Sequence, residues 1–362
     1  MSELTFPTAP PERPGLGPRA AVIIVSAFLA VLLGALIALL PAPYVVYSPG
    51  PATNVLGSVG GRQLISVSGR QSYPATGSLD MTTVEIFGGP GHRLSLLEVA
   101  QAWLSRTDAV VPERQVYPPG QTQQEVEKET AAEMTDSQEQ ATAAGLRELG
   151  LTVPETIRVA EVQPGVPAAS VIKADDVITG LNGTPASDSS ALRAAITALK
   201  PGSQVTVQVR RDGAPLDLST TTTSSEGRTV LGVGLDPQFQ FPVAVSFGTK
   251  DVGGPSAGMM FALGIYDMLT PGSLTGGTKV AGTGTIDSRG EVGPIGGIQQ
   301  KLVGARRAGA RWFLAPASNC DEVVGHVPQG LRVVRTSTLH ESRLAVQAIA
   351  AGRGQSLPTC TR

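Results

Sequence analysis

The decapeptide Asp251-Val-Gly-Gly-Pro-Ser-Ala-Gly-Met-Met260 decides how the chain is read. Ser256 stands in a turn of small residues. A helical pattern starts directly after it, because Ala257, Met260, Phe261, Gly264, Ile265 and Met268 recur at helical spacing. Ser256 is therefore expected near a helix N-terminus. A hydroxyl there faces backbone N–H groups and the positive end of the helix dipole, and both stabilise a developing oxyanion. Serine is also a preferred helix cap, so this stretch alone leaves cap and nucleophile open.

A second stretch tips the balance: Gly282-Thr-Gly-Thr-Ile-Asp-Ser-Arg-Gly-Glu-Val-Gly-Pro-Ile-Gly-Gly-Ile-Gln-Gln-Lys301. It reads as a strand, a turn at Ser288 to Gly290, a short strand, a Gly-rich turn and a helix. Lys301 falls in the first turns of that helix. A lysine amine serves a serine as general base only when neutral, and burial lowers its pKa toward that state. Val292, Pro294, Ile295 and Ile298 before it, with Leu302 and Val303 after it, make burial the expectation.

Gly-Gly-Pro-Ser-Ala-Gly at 253–258, with Pro-Ile-Gly-Gly-Ile-Gln-Gln-Lys at 294–301, resembles the proteolytic domain of Lon-type serine peptidases. The likeness runs from about Leu231 to Ile349. It implies a Ser–Lys dyad, with Ser256 as nucleophile and Lys301 as base. It also implies that Thr283 hydrogen-bonds the amine, and that backbone N–H groups of Gly254, Ser256 and Ala257 form the oxyanion site. Two positions depart from the family pattern. Gly253 stands where an acidic residue is usual, and Thr285 where a Glu is usual.

The chain has 362 residues, room for two or three domains. Its net charge of −2 leaves no electrostatic footprint for nucleic acid. Ala20 to Leu40 holds 21 residues without a charge. At 1.5 Å per residue that spans a hydrocarbon core of about 30 Å. A cleaved signal peptide is the rival, but its apolar region is usually shorter, and Pro41 and Pro43 crowd the cleavage position. An uncleaved single-pass membrane anchor is expected, after a Pro-rich disordered tail at 1–19. Arg13 and Arg19 precede the span and the next basic residue is Arg62, which puts the N-terminus in the cytoplasm and the rest outside.

Residues 41–120 read as a β-rich extracytoplasmic segment, with strands near Val45, Gln63 to Val67 and Ser78 to Ile86. Its Tyr47 to Ala52 run resembles the juxtamembrane region of membrane-anchored bacterial Lon-like proteins. Residues 121–150 read as a polar, solvent-exposed helix broken near Thr135. Residues 151–223 resemble a PDZ domain of the bacterial protease type, through Pro164-Gly-Val-Pro-Ala-Ala169 and the Asn182-Gly183 turn. Ala174, where Gly is usual, departs from that pattern. PDZ domains take chain ends by strand addition. The resemblance implies a carboxylate-binding loop before the Thr156 strand, at Leu149, Gly150, Leu151 and Thr152. The Thr/Ser run 220–227 reads as a linker to the peptidase domain 228–350. The fold class expected is thus α+β multidomain: transmembrane helix, β-rich juxtamembrane segment, PDZ domain and C-terminal Lon-type proteolytic domain.

The two cysteines, Cys320 and Cys360, fit a disulfide outside the cell that ties the C-terminal tail to the loop before Asp321. The three histidines, His92, His326 and His340, form no metal-ligand pattern, so no metal or other cofactor is expected. No P-loop is present, since Gly276-Gly-Thr-Lys279 has its Lys misplaced. These features point to an ATP-independent endopeptidase acting on protein or peptide substrates. A homo-oligomer is implied by the resemblance alone. Two rivals stand. Gly254-Pro-Ser-Ala-Gly258 also fits the elbow of α/β-hydrolases, with Asp321 and His340 following in order. A non-catalytic PDZ scaffold tethered to a membrane is the other.

Overall fold

A computed structural model describes residues 17–225, 227–248 and 253–361. The tail 1–16, Glu226 in the Thr/Ser run, and Asp251 and Val252 of the opening stretch lie outside the described residues. The chain divides into two units, Met1–Val46 with Ile86–Gln121, and Tyr47–Glu85 with Thr122–Arg362. The piece 41–120, expected as one β-rich segment, is thus shared between them.

In the first unit, α1 (Pro18–Ala38) has no buried residue. It is long and apolar enough to cross a membrane, a test that a signal sequence near the N-terminus also passes. A second helix, α2 (Leu96–Leu104), starts at a capping box formed by Ser95 and Glu98. Val99 and Ala102 of α2 share a small core with Ala42, Val46 and Leu94.

The second unit begins with β1 (Tyr44–Asn54), β2 (Ile65–Ser68) and β3 (Ser78–Phe87), whose bounds overlap the first. Then come α3 (Gln123–Glu148), β4 (Glu155–Val162), β5 (Val177–Leu181) and α4 (Ser189–Thr197). They are followed by β6 (Gln204–Arg211), β7 (Ala214–Thr221), β8 (Val233–Phe239) and β9 (Ala244–Phe247). The rest is α5 (Gly258–Met268), β10 (Lys279–Gly282), β11 (Thr285–Ile286), β12 (Val292–Gly293) and α6 (Ile298–Arg307), then β13 (Trp312–Pro316), β14 (Arg332–Thr336) and α7 (Leu339–Ala350).

Two lobes follow from this order. One sheet runs β14-β13-β10-β3-β1, with parallel pairing from β14 to β3. Successive side chains of a strand point to opposite faces, and here both faces are apolar. Val280, Leu314 and Val334 join the core on the α5 and α7 side, while Ala281, Phe313 and Val333 join the core under α6. A sheet covered on both faces reads as continuous apolar runs. The other lobe is a sheet ordered β7-β6-β5-β4-β8, closed by α4 over Ile157, Val159, Ile178, Leu192, Ile196 and Val207. Asp188 caps α4 by accepting from the Ala191 N–H at 2.7 Å.

Three expectations are corrected. The helix 121–150 is unbroken and buries its C-terminal half, including Met134, Ser137, Gln140 and residues 141–146. Between Met134 and Leu146 the buried stripe is mostly Ala, Ser, Thr and Gly, which score as polar or neutral yet permit close packing. A Cβ on Gly145 would meet the Ala262 carbonyl of α5 at 3.0 Å. The Thr/Ser run is no linker, because its described residues form the end of β7 and a short hairpin. Thr222 and Thr229 are buried there and donate to the carbonyls of Lys200 and Leu199 at 2.8 Å each. The third concerns β8, expected at the start of the peptidase domain. It pairs instead with β4, from Val233↔Val162 to Phe239↔Glu155, and forms the edge of that sheet.

One carboxylate joins the lobes. The Glu155 side chain is fully buried. Its Oε1 accepts the Ser189 N–H at the start of α4 at 2.8 Å, and its Oε2 accepts from Arg147 of α3 and from the Ser288 hydroxyl, each at 3.3 Å. Arg147 also donates to the Ser288 carbonyl at 2.7 Å and to that of Val153 at 2.9 Å.

Candidate active site

Ser256 sits in the turn before α5, half-buried, two residues ahead of the first helical position. Lys301 lies one turn into α6, its N–H bonded to the Gly297 carbonyl at 3.1 Å. The sheet holds the two helices on its opposite faces, and their side chains meet past the end of β10. Lys301 Nζ is 2.7 Å from Ser256 Oγ and donates to Thr283 Oγ1 at 3.0 Å. Thr283, fully buried, donates its own proton to the Ser256 carbonyl at 2.9 Å. Having used its only proton there, the Thr283 oxygen can only accept from the amine. One N–H of Lys301 is thereby directed at Thr283, which leaves the nitrogen lone pair free to face Ser256.

The amine has no ionic partner. Lys301 is 1% exposed, and among the described residues no carboxylate forms an ion pair with it. Burial of the charged form pushes its pKa down to about 7. A large share of the amine is then neutral near neutral pH, as a base for serine requires.

The turn that carries Ser256 is held from both sides. Gly284 N–H donates to the Ser256 carbonyl at 2.9 Å, and Met259 N–H to the Gly284 carbonyl at 3.0 Å. From α3, the Ser137 hydroxyl donates to the Pro255 carbonyl at 3.1 Å, and the Thr130 carbonyl accepts from Gly254 N–H at 3.3 Å. Sequence reasoning missed Ser137 and Thr130, because nothing in a polar helix marks which residue will face a distant turn. Gly253 is explained by the same packing. A Cβ at that position would run into Thr130 Cγ2, so an acidic side chain has no room beside α3. Thr285, the other departure, turns its hydroxyl toward Gly293 across the β11–β12 hairpin.

The remaining expected site residues are placed as follows. The Gly254 N–H is taken by Thr130, which removes it from the oxyanion set. The N–H groups of Ser256 and Ala257 have no acceptor among the described residues. Leu149 caps α3, Leu151 N–H returns to the Leu146 carbonyl, and both side chains pack on the core around α5. They do not line a sheet edge, and the outermost strand next to β4 is β8. The signal for this was the Leu231-Gly-Val-Gly-Leu235 run, a Gly-flanked strand sequence following β7. Cys320 and Cys360 are disulfide-bonded, with Cα atoms 5.0 Å apart. His340 ends against Glu148 of α3 at 3.0 Å, largely exposed, while Ser256 Oγ is met by Lys301. The constellation an α/β-hydrolase needs is therefore not assembled.

Two family models match successive parts of the chain. Residues 125–222 match the model of the PDZ domain, and residues 236–345 match that of the Lon protease (S16) C-terminal proteolytic domain. The chain is similar to the Lon protease of Aquifex aeolicus, 36% identical over 111 residues, which are 30% of this chain and 14% of that protein. It is similar to Lon protease 1 of Bacillus subtilis, 34% identical over 116 residues, 30% of this chain and 15% of that one. The chain therefore spans about a seventh of the length of these relatives. Among solved structures it is similar to the PDZ domain of an SdrC-like protein from Listeria monocytogenes (26% identity, 22% of this chain, 85% of that one, TM-score 0.21). The lobe that carries Ser256, Thr283 and Lys301 is thus a Lon-type (S16) proteolytic domain, and a PDZ domain precedes it in the same polypeptide.

Proposed function

We propose that this protein is a serine endopeptidase in which Ser256 is the nucleophile and Lys301 the general base. The observation that carries the reading is the 2.7 Å approach of a buried, unpaired amine to the serine hydroxyl. Ser256 Oγ attacks the scissile carbonyl as its proton passes to Lys301 Nζ. The carbonyl oxygen becomes an oxyanion at the N–H groups of Ser256 and Ala257, close to the positive end of α5. The ammonium of Lys301 then protonates the leaving amine, and an acyl-Ser256 remains. Water attacks it and gives a proton to Lys301, which returns that proton to the departing Ser256 Oγ as the acid is released. Thr283 holds the amine in position throughout.

The same reading makes the enzyme independent of ATP, since no P-loop is recognisable in the sequence. It places α1 across a membrane with the two lobes on the far side, where the Cys320–Cys360 disulfide persists. The substrates are extracytoplasmic or membrane proteins cut in unfolded or loop segments. The PDZ domain selects or gates them by adding a peptide strand beside β8.

A fluorophosphonate probe followed by peptide mass mapping tests the chemistry. Label on Ser256 is expected, lost in Lys301→Ala and kept in His340→Ala. Label that survives Lys301→Ala, or disappears with His340→Ala, removes the Ser–Lys reading. Comparing extracytoplasmic proteins in cells with and without the Ser256→Ala chain then identifies the substrates.

A further inference from the structure

Helix α2 carries an apolar face that its own unit leaves largely exposed; Trp103 is met there edge-on by Tyr44, at 5.9 Å between ring centroids. Its inward side is Val99 and Ala102. At about 100° per residue, Trp103, Leu96, Ala100, Leu104 and Leu97 follow one another around an arc of about 120°. Gln101 and Glu98 occupy the remaining side. Leu96 is 38% exposed, Leu97 49%, Trp103 64% and Leu104 86%. Ile86 and Phe87, in the same unit, are 45% and 48% exposed. Apolar side chains gathered in this way on a surface mark a contact with something outside it.

The position of α2 identifies the partner. Leu96 N–H donates to the Leu40 carbonyl at 3.0 Å, so the helix begins where the apolar run of α1 finishes. The 21 residues of α1 make a rod of about 31 Å, the thickness of a hydrocarbon core. A group tied to the end of such a rod lies at the depth where acyl chains give way to headgroups. Tryptophan favours that depth, because its ring is apolar and its N–H seeks a partner. Exposed Arg93 and Arg106 stand just before and just after α2, placed for lipid phosphates.

We propose that α2 lies flat in the headgroup layer of the membrane crossed by α1, with Trp103, Leu104 and Leu97 among the upper acyl carbons. The proposal rests on the reading of α1 as a membrane span. Its partner is the phospholipid surface itself, and its effect is a second attachment that removes the free swivel of a single anchor.

The full chain reconstituted in vesicles of phosphatidylcholine and phosphatidylglycerol tests this. The two tryptophans are separated by subtracting the emission of Trp103→Phe, which leaves Trp312 alone. The chain is expected to float with the vesicles. The Trp103 component should shift to the blue and be quenched by lipids brominated just below the headgroup more than by lipids brominated near the chain end. Flotation with a Trp103 component that is unshifted and unquenched overturns the proposal while leaving the span intact. A blue shift without bromine quenching, accompanied by self-association, overturns it too and assigns the face to a second copy of the chain. Failure to float removes the span and the proposal together.

Discussion

Lys301 in the proteolytic lobe and Asp176 in the PDZ lobe are each 1% exposed, yet the two are treated in opposite ways. Asp176 is gripped by Arg211, whose Nε and Nη2 donate to its two oxygens at 2.7 and 2.8 Å, and by the Lys173 N–H at 2.9 Å. The Arg211 hydrogen bonds hold its carboxyl below the usual carboxylate range, and it stays an anion. Lys301 meets two hydroxyls and no carboxylate. A buried charge supplied with partners serves the architecture, whereas one denied them gives up its proton and can take another.

The largest test of that contrast is removal of the dyad. Ser256→Ala or Lys301→Ala is expected to lower peptide cleavage by ~10³-fold or more, with thermal melting preserved in Ser256→Ala. Cleavage within tenfold of wild type would break the comparison at its chemical end.

Next comes the proton. Cleavage should rise with pH through about 7 and then level, as the neutral amine accumulates. Stability should rise as well. Between about 7 and the unfolded lysine value near 10.5, the unfolded chain binds a proton that the folded chain has released. Lys301→Met should abolish this rise and gain on the order of 3 kcal/mol at pH 6, measured by denaturant melts. A pH-independent difference between the two proteins would mean that Lys301 keeps its charge.

Asp176→Asn should destabilise the PDZ lobe by about 2 kcal/mol, less than for a fully buried pair because Arg211 is partly exposed. The sign in pH is opposite to that for Lys301. The contribution of Asp176 is complete above the ordinary aspartate value and is lost as pH falls toward its depressed folded value. Cleavage of short peptides should not change.

Thr283→Val gives the smallest effect and the sharpest reading of orientation. It keeps the shape and removes the hydroxyl, so a drop of about tenfold is expected, near 1.4 kcal/mol. Thr283→Ser should restore most of it.

Much of the site was legible because its chemistry is local. Ser256 and Lys301 each sit inside a run of turn and helix signals, the resemblance of the two runs added Thr283, and the fold brings the three within hydrogen-bond reach. The α3 contribution was illegible for a physical reason. Its buried stripe is mostly Ala, Gly, Ser and Thr, so polarity argued for solvent while small size in fact served close packing against α5. The domain boundary expected at residue 228 fell before β8, because only the pairing with β4 shows that this strand belongs to the preceding sheet. The Gly254 amide was expected to face a substrate, but the Thr130 carbonyl, distant in sequence, had taken it.

The order in which the PDZ sheet is threaded bears on how the molecule can be dissected. Its outermost strand is delivered by the stretch that leads straight into the catalytic lobe, after the Thr/Ser run where a scissors-minded reader would cut. A fragment ending near residue 223 would lack a strand and expose Ile157 and Val159, and a fragment beginning there would drag an unpaired one. The two modules are stitched rather than strung, and a clean separation has to fall beyond Phe239.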